Sequence, residues 1–325
     1  RDLVRSRGLG DVYKRQVVIP EGYDGRVIKA ASTILREGIA KLVLLGEDKE
    51  IKDKARRLQV DLRDTQIINP KTSELKEGFA KKLFDLRKHK GLTEEDAKKL
   101  IEDSCYFACM LVMDGKADAI SGSCVVSTAE LMRPVLQLIK TKPDSPLVSE
   151  VTIIRDEEKD RVFFATDASL NIEPTPEQLA VMAINACDCA KMFGIEPKAA
   201  MLAFSTKGSG NSQVYGNVLE AARIANEKRP DLLIDAEYQL DAAVNPESAT
   251  RKCPGAPIQG DANVLVMPNL TASNIWAHAM LQFSHLDFAF TLLVGIRKPV
   301  TIMGRGASVE LITNMITAAA MQANS

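Results

Sequence analysis

Four stretches of this chain set cations, hydroxyls or glycines at the ends of apolar or helical runs. Ser205-Thr206-Lys207-Gly208-Ser209-Gly210 follows the apolar run Ala200 to Phe204. Small residues let backbone N–H groups approach an anion, and hydroxyls and an ammonium add donors. The order is not that of a Walker A loop, and the G-x-G-x-x-G spacing is absent. A turn between a strand and a helix would have the same composition. Gly304-Arg305-Gly306-Ala307-Ser308 is the second stretch. An arginine between two glycines is poorly explained by packing and suits an anion. The third runs from Ser121-Gly122-Ser123 to Ser127-Thr128 and Arg133-Pro134. Ser127 or Thr128 can cap a helix whose N-terminus faces an anion; ordinary capping with a surface arginine is the alternative. The fourth, Arg87-Lys88-His89-Lys90-Gly91, reads either as a solvated helix end or as an anion contact. Asp167 and Asp235, near strand ends, are the candidate carboxylates, and turn acceptors would look alike. No Ser-His-Asp or Cys-His arrangement is legible, and His278 and His285 lie on or near an apolar helix.

These residues need elements to position them. Val17 to Ile19 reads as a buried strand, Arg26 to Glu37 as a helix, and Lys41 to Leu45 as a second strand. That is a βαβ unit, hence parallel strands. Helical periods follow at Glu77–Lys88, Thr93–Met113 and Thr128–Ile139, with a strand at Ala117–Ile120. After Pro146 the texture changes to a β-hairpin, Val148–Ile154 and Arg161–Ala165. Alternation then resumes: a helix Glu177–Phe193, a strand Ala200–Phe204, a helix Asn217–Glu227, and strands Leu232–Asp235 and Asn263–Met267. A helix Ala272–Phe283, a strand Val300–Met303 and a last helix capped by Ser308 complete the pattern. The fold class is α/β, with mostly parallel sheets covered by helices on both faces.

Length and composition bound the answer. The 325 residues suffice for two domains, and 46% hydrophobic with 26% charged residues is ordinary for a globular enzyme. A net charge of −1 gives no electrostatic case for nucleic acid or an anionic membrane surface. No apolar run approaches the ~20 residues of a membrane span. Six cysteines form no Cys-x-x-Cys pair and only three histidines exist, so no metal site is expected and free cytosolic thiols are. Arg1 to Gln16 carries no helical or strand period and is expected to be a non-native leader, similar to translated adapter sequence. Behind it, the native start is expected to be a helix that is missing here.

The chain resembles the phosphate acetyltransferase (phosphotransacetylase) family, within the phosphate acetyl/butyryltransferases. The resemblance rests on Pro20-Glu21-Gly22, Leu86 to Gly91, Ala117 to Gly122, Ser127-Thr128-Ala129 with Arg133-Pro134, and Gln137 to Pro143. It continues through Phe193 to Pro197, Ser205 to Ser209, Lys228 to Asp235, Asp241 to Val244, and Arg297 to Val300. It implies a two-domain fold like that of isocitrate dehydrogenase, with the C-terminal segment returning to the first domain. The expected domains are 17–145 plus 292–325, and 146–291. It also implies a cytoplasmic homodimer of acetate metabolism that transfers acetyl between acetyl phosphate and coenzyme A, with phosphate as the other product. Coenzyme A is then a substrate, and no tightly bound cofactor is expected. The resemblance implies that Arg87, Arg133 and Arg305 bind phosphate groups or stabilise charge. With the anion-suited loops read above, Arg305 and Arg133 are the expected catalytic residues, and Arg87, Ser127, Thr128, Ser205, Thr206, Lys207 and Gly208 the expected substrate-binding ones.

Two positions depart from the family's last motif, which usually reads Ser-Arg-Gly-Cys-Ser-Val-Glu-Asp. Here Gly304 replaces the Ser that hydrogen-bonds the thiol, and Leu311 replaces the Asp assigned to take its proton. General-base help is worth roughly 10²–10⁴-fold, so weakened activity is expected. Asp167 and Glu310 are the substitutes to test, although Glu310 points about 100° away around a helix. The alternatives are a butyryl-type phosphate acyltransferase and a non-catalytic domain that senses acetyl-CoA. The two departures favour the second; the retained Arg87, Arg133 and Arg305 favour the enzyme.

Overall fold

A continuous apolar run is a strand buried on both faces, and Val17-Val18-Ile19 is one: all three are fully buried. The computed structural model describes residues 15–63, 65–210 and 212–323, without the side chains of 212–214. The chain divides into two compact units, Arg1–Thr141 with Ile296–Ser325, and Lys142–Gly295.

The first unit holds strands β1 (Gln16–Ile19), β2 (Lys41–Leu45), β3 (Gln66–Ile68), β4 (Ala119–Gly122) and β11 (Val300–Ile302). They run parallel in the order β3-β2-β1-β4-β11. Its helices are α1 (Gly25–Arg36), α2 (Asp48–Arg57), α3 (Lys76–Arg87), α4 (Glu94–Leu100), α5 (Ser104–Met113), α6 (Thr128–Pro134) and α12 (Val309–Gln322). The returning segment belongs to this core. Helix α12 buries Ile312, Met315 and Ile316 and packs on α1, β1, β4 and β11. Each such side chain contributes roughly 1.5–3 kcal/mol of transfer free energy. Strands β2 and β3 lie to one side of β1, and β4 and β11 to the other. The topological switch point therefore falls between β1 and β4, and ligands of open α/β sheets bind beyond the carboxyl ends of such strands.

The second unit holds β5 (Ser149–Asp156), β6 (Arg161–Thr166), β7 (Lys198–Leu202), β8 (Leu233–Tyr238), β9 (Val264–Val266) and β10 (Asp287–Val294), in the order β10-β5-β6-β9-β7-β8. Strands β10, β5 and β6 pair antiparallel; β6, β9, β7 and β8 pair parallel. Its helices are α7 (Pro176–Met192), α8 (Ser212–Lys228), α9 (Leu240–Val244), α10 (Pro246–Lys252) and α11 (Leu270–Phe283). Tyr238, Ile258 and Leu265 centre one of its apolar clusters. No described helix is long and apolar enough to cross a membrane.

Several sequence expectations are corrected. Thr93–Met113 is two helices, because Asp103 caps a new one: its Oδ1 accepts from the N–H of Cys105 (2.9 Å) and Tyr106 (3.1 Å). The helix expected to reach Ile139 changes at Pro134, which has no N–H to donate, into a π-turn over Val135–Ile139. Helix α2, strand β3 and strand β10 were not anticipated. Residues 1–14 of the expected leader lie outside the described residues, and its last residue, Gln16, opens strand β1. It pairs with Lys41 in the sheet, and its N–H donates to Asp118 Oδ2 at 2.8 Å. A polar residue opening a short apolar strand carries no signal of its own.

Candidate active site

At the switch point the turn after β1 and the loop after β4 are joined by one carboxylate. Glu21 is buried and accepts from the N–H of Ser123 (2.9 Å), Val125 (3.3 Å) and Val126 (3.3 Å). Ser123 sits in the left-handed region at φ 73°, which turns successive N–H groups toward one point. Burial pushes the Glu21 carboxyl up, and these N–H groups oppose the rise. The close approach needs Gly22, where a Cβ would meet Leu44 Cβ at 2.7 Å. The cradle is thus filled by the protein's own carboxyl group. Hydroxyls nearby are also engaged: Ser121 accepts from Thr301 (2.7 Å), and Ser123 donates to Val126 O (3.1 Å). Ser127 forms a capping box with Glu130 at the start of α6. The Thr128 hydroxyl, half-buried one residue on, has no hydrogen-bond partner among the described residues.

The third loop follows β11. Gly304 lies at φ 78°, and Ala307 N–H donates to Gly304 O (3.2 Å), so Arg305 and Gly306 occupy the centre of a turn. Ser308 caps α12, its Oγ accepting from Leu311 N–H at 3.1 Å. Arg26, in the first turn of α1, ties this loop to the others. Its Nη1 donates to Arg305 O (2.7 Å) and Ala307 O (3.1 Å), and its Nη2 to Cys124 O (2.9 Å). Asp24, the N-cap of α1, takes the remaining two N–H groups at 3.0 and 3.1 Å.

The sequence-selected arginines gather in this unit. Arg133 is exposed on α6, Arg305 exposed on its turn, and Arg87 half-buried at the end of α3. The fields of Arg133 and Arg87 both reach the Tyr106 phenol, where they oppose the upward push of burial. Ser127 first, then Arg305 and Arg133, hold the Glu130 carboxyl below the usual carboxylate range. Yet none of the three guanidinium groups makes an ion pair or side-chain hydrogen bond with a described residue. Neighbouring Lys88, by contrast, pairs with Asp85 at 2.9 Å.

In the second unit the Ser205–Gly210 loop follows β7 and its donors turn inward. Thr206 N–H donates to Ser209 Oγ (3.0 Å), whose hydroxyl meets that of buried Ser205 (3.1 Å). Thr206 Oγ1 accepts from Gln239 N–H (3.0 Å), and Gly208 N–H donates to Glu237 Oε1 (3.1 Å). The Lys207 ammonium pairs with Asp235 (2.7 Å), contacts Ala236 O and lies over the Tyr238 ring. Of the carboxylates singled out, Asp235 is therefore an ion-pair partner. Asp167 is buried and accepts from the N–H of Ser169 and Leu170 and from Asn171 Nδ2, as a turn acceptor does. Glu310 is exposed on the first turn of α12, with half-buried Leu311 beside it. Among the described residues no group of His, Cys, Asp and Glu could hold a metal, and all six cysteines are buried and unpaired.

The sequence reading singled out neither Glu21 nor Arg26 for a role. A signal existed for Arg26: an arginine in a helix's first turn opposes the dipole and must find compensation elsewhere. Guanidinium groups without protein partners suit an anion. The family model described as phosphate acetyl/butaryl transferase matches residues 9–320. A phosphate acetyltransferase from Thermoanaerobacterium thermosaccharolyticum is 40% identical over 315 residues, 95% of each chain. A phosphotransacetylase structure from Streptococcus pyogenes superposes with a TM-score of 0.93 at 37% identity, covering 100% of this chain and 98% of that one. One from Staphylococcus aureus gives 0.91 at 36% identity, covering 99% and 98%.

Proposed function

Because the chain belongs to the phosphate acetyl/butaryl transferase family, we propose that it transfers an acetyl group between acetyl phosphate and coenzyme A. The observation that carries this reading is the set of three arginines in one unit without protein partners. In the forward step the coenzyme A thiolate attacks the acyl carbonyl carbon. A tetrahedral oxyanion forms, the carbon–oxygen bond to phosphate breaks, and inorganic phosphate leaves with the bonding pair. Negative charge must be held on phosphate and on the carbonyl oxygen together. Fixed guanidinium groups do so without reorganising at the moment of reaction. We assign Arg305 and Arg133 to the phosphoryl group and the developing charge, and Arg87 to a phosphate of coenzyme A. Thr128, with its unengaged hydroxyl, is the substrate contact at the start of α6, and Ser127 holds that turn in shape. In the second unit, Ser205, Thr206, Lys207 and Gly208 hold the loop after β7 in shape rather than offer free donors.

No carboxylate stands at position 311, so the thiol must lose its proton to solvent. A free thiol with a pKa near ~8.5 is only a few per cent thiolate at neutral pH. The arginines favour the thiolate, and slow turnover persists without a dedicated base. The test is thioester absorbance with acetyl phosphate and coenzyme A, repeated with butyryl phosphate. Acetyl turnover is expected to exceed butyryl turnover. Gly304 and Leu311 favour a second reading, a domain that binds acetyl-CoA without turnover, and coenzyme A binding with no thioester formed would establish it.

We place the protein in the cytoplasm, which suits its six reduced thiols. We also propose a homodimer through α11. This helix carries no Asp, Glu, Lys or Arg and buries only Ser273, while Ile275 is 65% and Phe283 87% exposed. An uncharged apolar face suits a second copy of itself. Phe283→Asp is expected to halve the mass seen by light scattering; an unchanged mass would place the interface elsewhere.

A further inference from the structure

We infer that Arg26 is a positioning residue that fixes Arg305 for the reaction, an inference that rests on the acetyl-transfer reading above. A guanidinium has five N–H donors, and all five of Arg26's are used within the protein. Three go to carbonyl oxygens of two loops far apart in sequence: Arg305 and Ala307 after β11, and Cys124 after β4. The other two form a fork on Asp24, which caps the helix carrying Arg26. With its donors occupied, Arg26 has none left for substrate. Its consequence is geometric, since it holds the backbone of the turn from which the Arg305 side chain projects. Gly304 and Gly306 flank that turn, and a Cβ added at either would meet nothing within 4 Å, so neighbouring side chains do not pin it. Nη1 contacts two carbonyls of the turn, at Arg305 and Ala307. A lysine, a compact point charge with three donors, cannot hold both loops and Asp24 in this geometry.

The effect should pass through Arg305. Misplacing a reacting group by about an ångström can cost about 10²-fold. We expect Arg26→Gln and Arg26→Lys both to lower kcat about 10²-fold, with less than a few-fold change in the KM for coenzyme A. In an Arg305→Gln background, Arg26→Gln should cause almost no further loss. Equal multiplicative losses in both backgrounds, or full activity in Arg26→Lys, would overturn the inference; the latter would mean that charge alone matters. A second readout needs no activity. Trypsin cleavage after Arg305, followed by mass spectrometry on the folded full chain, should be at least several-fold faster in both Arg26 variants than in wild type. An unchanged cleavage rate overturns the clamp. If Arg26→Gln does not fold, Arg26→Lys carries both readouts. If wild type forms no thioester, the functional reading fails, and the cleavage rates still decide whether Arg26 holds the Arg305 turn.

Discussion

The Ser205–Gly210 loop and the Arg87–Arg133–Arg305 set show opposite uses of polar residues. In sequence the loop is the more suggestive, with hydroxyls, glycines and a lysine after a buried strand. In the fold its donors close on Ser209, Glu237, Gln239 and Asp235. The arginines are scattered over more than 200 residues, and their guanidinium groups have no partner among the described residues. A cluster of donors binds an anion only if the protein has not already satisfied it. The same contrast holds inside the first unit, where Glu21 fills the cradle after β4 and the arginines nearby stay unpaired.

The largest effect should separate the two regions. Arg305→Gln is expected to lower kcat by 10²–10³-fold, the range for removing a donor to developing charge, with an unchanged melting temperature. Lys207→Gln should do the reverse. Losing the ion pair to partly buried Asp235 should cost roughly 1–2 kcal/mol of stability and change kcat less than a few-fold. Steady-state kinetics and thermal unfolding on both variants decide. A catalytic collapse in Lys207→Gln at full stability would mean that the loop delivers its lysine to substrate.

A smaller effect sharpens the arginine side. With the proton leaving to solvent, the wild-type rate should rise with pH toward the thiol pKa, near ~8.5 when unperturbed. Leu311→Asp should raise the rate near neutral pH by about tenfold or more and flatten that profile. A wild-type profile that is already fast and flat would assign the base elsewhere, with exposed Glu310 the first to mutate because Asp167 is buried and saturated.

The last effect concerns stability alone and belongs to the second unit. Burial, with Asp167 beside it, raises the Glu150 carboxyl to about 7, from an ordinary 4.5. The folded state therefore holds a proton that the unfolded state has released between these values. Its contribution is full below about 4.5 and is lost as pH rises through about 7. Glu150→Gln should remove this slope, worth a few kcal/mol at most. Denaturant midpoints across that window check it; an identical slope in both proteins would show that Glu150 does not set it.

Much of the frame was legible because local rules fix it. Val17–Ile19 and Leu42–Leu45 are apolar without alternation, and parallel covered strands are the outcome. Ser308 before an apolar period marked the start of α12. Strand β10 was not legible, because its residues follow an apolar helix and strand pairing depends on β5, more than 130 residues earlier. The split at Asp103 was lost because an acidic cap inside an otherwise helical period reads as one more polar residue.

The sequence by itself determined the α/β class through its periodicity and the family through its motifs, and it picked out the three arginines proposed to meet anions. Only the tertiary structure decided which polar groups are free. Whether Lys207 faces Asp235, whether Glu21 fills the cradle of Ser123, Val125 and Val126, and whether Arg26 closes on Arg305 and Cys124 all depend on contacts across the chain. A hydrogen-bond donor's availability is a property of its neighbours in space, and one-dimensional spacing does not contain it.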